Sequence, residues 1–169
     1  MKRLFPAALF AALATAATPF AAGAAPSETD YASFNQAFAA GHAIPGYTAF
    51  AKAAAAFRTT SETYCGGTGG AAPDDLRGAF IDVLGAWMAV EHIRFGPVEE
   101  QARYFRIHFW PDRGGRVRKH IRVLLAAGDP DAFTPRKFAT ASVAVQGLTA
   151  AERLLFGAAP QRITNETDG

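Results

Sequence analysis

Two glutamates stand in line with apolar side chains, and that placement is the chemistry to be explained. Phe80, Leu84, Trp87, Glu91 and Phe95 follow one another at steps of three and four residues, the spacing that stacks side chains on one helical face. Val145, Leu148, Glu152, Leu155 and Phe156 repeat the pattern later in the chain. A carboxylate on such a face needs a partner: an arginine, a histidine, backbone donors or a metal ion. Arg94, Arg103 and Arg106 are the arginines within reach by sequence, and an ion pair with one of them, or a half-exposed position, is the ordinary structural reading. The functional reading is a polar site within a bundle, where inward carboxylates often bind metal.

Four histidines complete the inventory. His42 lies in "GHAIPGY", a stretch that reads as a break between helices, and breaks are where side chains reach into sites. His92 is one step off the Glu91 face, so simple helix geometry does not let it share an ion with Glu91. His120 sits in the basic run "RGGRVRKHIR", Arg113 to Arg122, which reads first as a solvated helix face and second as a contact for polysaccharide or phospholipid headgroups. His108 opens "HFWPD", a turn in which Trp110 packs and Pro111 fixes φ ahead of Asp112. No HExxH, GxSxG, P-loop or CxxC motif occurs, which excludes a zincin protease, a serine hydrolase elbow and a nucleotide-binding loop of those types.

The elements that must position these residues read as all-helical. Beta-branched alternation is absent and alanine is abundant. A first helix is expected from Thr29 to Gly41. A second follows "GHAIPGY" with Pro45 in its first turn, and carries Tyr47, Phe50, Ala54 and Phe57 on one face. "CGGTGGAAP" is a loop. Asp74 reads as the N-cap of a helix that runs to Phe95 and stops at Gly96-Pro97. "VEEQARYFRI" is a short helical piece, and "RVRKHIRVLLAAG" is a helix ended by Gly128. Thr134, with Pro135 behind it, caps one last helix through "KFATASVAVQGLTAAERLLFG", bent at Gly147. The architecture expected is an all-α helical bundle with short loops punctuated by glycine and proline.

Residues 1–24 read as a secretory signal: Lys2 and Arg3, a short apolar run, and "AGA" at Ala22 to Ala24 as a cleavage site. Export to the periplasm or cell envelope is the expectation. Of the 17 Lys and Arg, two leave with the leader, which brings the basic side chains level with the 15 Asp and Glu. A near-neutral protein gives nucleic acid nothing general to hold. Beyond the leader no segment is apolar for long enough to span a bilayer. Cys65, the single cysteine, is either a free thiol or lacks its partner. Residues 25–157 form the expected helical domain. Residues 158–169 read as a disordered tail, where "NET" at Asn165 to Thr167 is a weak glycosylation match.

The order of "HAIPGYTAFAKAAAAF", "AWMAVEHIRFGPV", "FWPD" and "QGLTAAERLLFG" resembles the successive blocks of the imelysin family, over Tyr31 to Gly157. The resemblance implies a cell-envelope protein built from helical bundles, of which this chain would be one bundle of a normally larger fold. It also implies an association with iron uptake or, in other members, with peptidase activity. The family's GxHxxE motif falls on Gly147 to Glu152, where Thr149 stands in the place of the histidine. A threonine hydroxyl is a poorer transition-metal ligand than imidazole. Trp87, Glu91, Phe95 and Gly96 match their block as they stand. On this basis Glu91, Glu152 and His42 are the candidate ligands of a divalent metal or iron. Arg94 or Arg106 would be the charge partner of Glu91 without one. Trp87, Arg94, Phe95, Gly96, Trp110, Asp112 and Gly147 are further site candidates.

The expected function is a non-catalytic binding protein associated with iron acquisition, with envelope or iron-uptake proteins as partners. The alternatives are an imelysin-type metallopeptidase and a helical module that contacts anionic polysaccharide. The short chain would leave apolar surface uncovered, which predicts a homodimer or poor solubility.

Overall fold

The computed structural model describes residues 25–67 and 70–157; the leader and the tail read from the sequence lie outside them. Among the described residues seven α-helices run in chain order: α1 (Glu28–Phe38), α2 (Ile44–Cys65), α3 (Pro73–Met88), α4 (Arg103–Ile107), α5 (Arg116–Ala126), α6 (Pro135–Phe138) and α7 (Gly147–Phe156). No strand occurs among the described residues. The fold is an all-α helical bundle. None of the described helices is long and apolar enough to cross a membrane.

The expected break at "GHAIPGY" is instead a π-helical turn, Ala39–Ala43, that joins α1 to α2 without interruption. Its wide register accommodates Pro45: Ile44 N–H reaches back to Ala39 O, so the ladder is re-phased where proline supplies no donor. Ser27 starts α1 through a reciprocal cap, its hydroxyl accepting from Asp30 N–H while the Asp30 carboxylate accepts from Ser27 N–H at 2.8 Å.

The main core lies between α2 and α3. Leu76, Phe80, Val83 and Trp87 repeat at steps of four, three and four along α3 and are buried. Tyr47, Phe50, Ala54 and Phe57 face them from α2, as the sequence spacing indicates. Ala72, not Asp74, is the N-cap of α3, with Pro73 in its first turn; the Asp75 carboxylate accepts from Ala72 N–H at 2.8 Å. Helix α7 packs on α3, α4 and α5, and a smaller cluster of Val117, Ala144 and Ala150 joins α5 to α7.

Three stretches end earlier than their sequence patterns suggest. α3 stops at Met88 rather than Phe95, and the chain turns so that Val90 and Ile93 are buried while Phe95 is 65% exposed. Val90 fills the space over Gly46, where any β-carbon on α2 would overlap its methyl group; that contact fixes the turn. "VEEQARYFRI" is broken at Gln101 and Ala102, both in the left-handed region, before α4 begins. The last expected helix is three pieces: α6, a 3-10 turn at Val143–Val145, and α7. The Gln146 side chain donates to Phe138 O at 3.0 Å and to Ala141 O at 2.7 Å, holding together the loop where a continuous helix was expected.

Candidate functional site

With α3 ending at Met88, Glu91 no longer interrupts a helical stripe. It sits in the following turn, where Glu91 N–H donates to Trp87 O at 2.8 Å. Its carboxylate is partly exposed and lies 3.4 Å from His108 Nδ1. Trp87 Nε1 donates to the same nitrogen at 3.3 Å. The two contacts use it in opposite ways: the indole needs its lone pair, whereas an ion pair with Glu91 needs a proton there. His108 is buried at 9% exposure because α4 ends one residue before it and Tyr104 O accepts its backbone N–H.

The arginines named as partners for Glu91 are engaged elsewhere. Arg94 lies over the Tyr104 ring at 4.0 Å, a cation–π contact, and 3.6 Å from Glu99. Arg106 Nη1 donates to Ala139 O at 2.9 Å, and Arg103 donates to Pro97 O.

Glu152 lies in a second place. Trp110, Asp112, Arg118, Thr149, Glu152, Arg153 and Phe156 line an open cleft of about 360 Å³ between the start of α5 and α7. Thr149 is 7% exposed and its hydroxyl has no hydrogen-bond partner. Asp112 serves the start of α5: its carboxylate accepts from Arg116 N–H at 2.8 Å and Val117 N–H at 3.2 Å, donors that a helix N-terminus otherwise leaves unmet. Gly147, at the head of α7, has φ +68, and a β-carbon there would run into the carbonyls of Arg106 and Ile107. Only glycine lets α7 begin against α4, and that contact sets the helix carrying Thr149 and Glu152 along the cleft.

His42 occupies a third place, in the π-helical turn, where its Nε2 is 3.0 Å from His92 Nε2. The three candidate metal ligands are therefore apart: His42 faces His92, Glu91 faces His108, and Glu152 lines the cleft. Among the described residues, no three His, Cys, Asp or Glu side chains cluster to hold an ion.

The cleft residues do not fit a tight transition-metal centre. Thr149 offers a neutral hydroxyl, Asp112 already accepts two backbone hydrogen bonds, and Arg118 and Arg153 place positive charge on the same walls. The arrangement is suited to holding a polar ligand against Trp110 and Phe156.

Sequence spacing did not single out His108, Arg118 or Arg153. His108 is five residues beyond the start of a five-residue helix, too short for a periodic signal. Arg118 was visible only as one member of a basic run. Trp110 is exposed, and Phe95 and Gly96 lie on the surface near the turn after α3. Cys65 is an exposed free thiol.

The Imelysin family model, peptidase family M75, matches residues 43–168. The crystal structure of an imelysin-like protein from Psychrobacter arcticum 273-4 is similar, with a TM-score of 0.66 and 25% sequence identity. The similarity covers 73% of this chain and 39% of that one, so this chain spans well under half of its length. No curated protein matches.

Proposed function

The chain belongs to the imelysin family, and from that premise we propose that it is a non-catalytic binding protein of the bacterial periplasm or cell envelope, associated with iron acquisition. One observation carries the reading: at the histidine position of GxHxxE stands Thr149, a buried residue whose hydroxyl has no partner, in the wall of a cleft shared with Glu152, Arg118 and Arg153. A metallopeptidase needs an ion that polarises water and a base beside it. This donor set supplies a carboxylate without the nitrogen ligand. It also supplies two cations that disfavour a metal. What it retains is a shaped, polar, solvent-open recess on a rigid helical frame, which is a binding device.

Export rests on the leader pattern of residues 1–24, and amino-terminal sequencing of the periplasmic protein is expected to begin near Ala25. Self-association rests on the apolar side chains left uncovered: Tyr31 and Phe34 on α1, and Phe95 beside Phe38. Size exclusion of the mature protein is expected to give a dimer, and a monodisperse monomer would remove that part of the reading.

The deciding experiment compares the wild type with Thr149→His. The wild type is expected to show no chelator-sensitive peptide hydrolysis with iron, zinc or copper. Thr149→His, which adds an imidazole beside Glu152, is expected to tighten zinc or iron binding at least tenfold. Metal-dependent hydrolysis by the wild type that disappears in Glu152→Gln would overturn the non-catalytic reading.

A further inference from the structure

His42 and His92 meet tip to tip. Their Nε2 atoms are 3.0 Å apart, with ring centroids separated by 5.0 Å. They come from elements fifty residues apart in sequence: the π-helical turn Ala39–Ala43 and the turn that follows α3. Both side chains are exposed, so neither is held there by burial. What holds them is the frame. Phe38 packs on the His42 ring at 5.4 Å and against Phe95 at 6.5 Å, and Val90 and Ile93 anchor the His92 turn in the core. A π-helical turn is itself an uncommon feature that often marks a functional position.

We propose that His42 and His92 form a surface site for a nitrogen-preferring divalent transition metal, with copper(II) bound most tightly and nickel and zinc more weakly. The geometry carries this. Two imidazole nitrogens bound at about 2.0–2.1 Å lie ~2.9 Å apart when cis in a tetragonal ion and ~3.3 Å apart in a tetrahedral one. The observed 3.0 Å falls at the tetragonal end. Where two neutral imidazoles face each other, one nitrogen must donate and the other accept. A metal ion takes both lone pairs at once. No third His, Cys, Asp or Glu joins the pair among the described residues, so water completes the coordination and the site is open to exchange. Copper leads because affinity for nitrogen sites rises along the first-row series to copper(II). The site shares no residue with the Thr149 cleft, and the proposal stands whether or not that cleft binds a ligand.

The test uses the untagged mature protein, titrated with copper(II) and followed by calorimetry and by electron paramagnetic resonance. The wild type is expected to bind one equivalent with coupling to two imidazole nitrogens. Affinity is expected to fall at least tenfold in His42→Gln and in His92→Gln, with one nitrogen coupling lost in each. His120→Gln is expected to bind like the wild type. Because both residues are exposed, circular dichroism of the variants should be unchanged, so that lost binding reports the site. Equal copper affinity in the wild type and both variants, or loss only in His120→Gln, would overturn the proposal and leave the pair a hydrogen bond between two surface rings.

Discussion

The interface of α2 with α3 and the cleft between α5 and α7 are built from similar helices and treat polar atoms differently. Around Trp87 the core closes, and the polar groups at its edge find partners: the indole N–H reaches His108, and Tyr47 hydroxyl reaches Ile93 O at 3.5 Å while burial pushes its phenol up from the ordinary tyrosine value. Around Thr149 the walls stay open, charged side chains line them, and a buried hydroxyl is left without a partner. The first region spends its residues on stability. The second tolerates a local cost, since a buried unpaired hydroxyl destabilises a fold by about 1–3 kcal/mol.

The contrast can be broken most forcefully at Trp87. Its side chain is fully buried, and Trp87→Ala should cost about 3–5 kcal/mol in urea unfolding. A loss under 1 kcal/mol would mean that the α2–α3 core is not what holds the domain. Next comes Gly147→Ala, which puts a β-carbon at positive φ against two carbonyls. A loss of more than about 1 kcal/mol is expected, together with weaker ligand binding in the cleft, because α7 would have to shift. A melt unchanged from the wild type would show that α7 is not seated on α4 as described. Thr149→Val sharpens the comparison in the other direction. It removes an unpaired buried hydroxyl while keeping shape, so stability should hold or rise by up to about 1 kcal/mol. A clear loss would show that the hydroxyl has a partner in solution.

The smallest expected effect lies at the start of α1, outside both regions. Hydrogen bonds from Ser27 hold the Asp30 carboxyl below its ordinary value. A depressed carboxylate contributes stability that is present above the unfolded-state value and lost as pH falls through the folded one. The protection factors of amides at the first turn of α1, corrected for intrinsic exchange, should therefore fall on acidification below about pH 4, and Asp30→Asn should remove that dependence. An unchanged acid response in Asp30→Asn would assign it to another group.

Much of the packed region was legible in the sequence. The spacing of Tyr47, Phe50 and Phe57, and of Phe80 and Trp87, is set by helical geometry, and burial follows directly from it. The family blocks likewise rest on local residue patterns. Termini were harder. Nothing in "GAWMAVEHIRFGP" marks Met88 as an end, because the turn there depends on Val90 meeting Gly46, a contact across 44 positions of chain. Pro45 suggested a break, since proline's missing donor is read locally, while the π-helical turn that absorbs it needs the whole helix. The same limit explains the site. Glu91, Glu152 and His42 share residue types suited to one ion, and only the three-dimensional path of the chain shows that each faces a different neighbour.

The π-helical turn has one more consequence. A helix advances about 100° per residue, so the extra residue at Ala39–Ala43 sets the rotational phase between α1 and α2. Deleting a single alanine there would restore regular register and swing every side chain of α1 by roughly a quarter turn or more. Tyr31, Phe34 and Phe38 would then present to a different azimuth, although no residue among them had changed. The chain's first helix, which has no buried residue and touches the core only through Phe38 at its end, is thus clocked largely by its spacing, and small insertions or deletions in this segment would re-aim its surface in discrete steps.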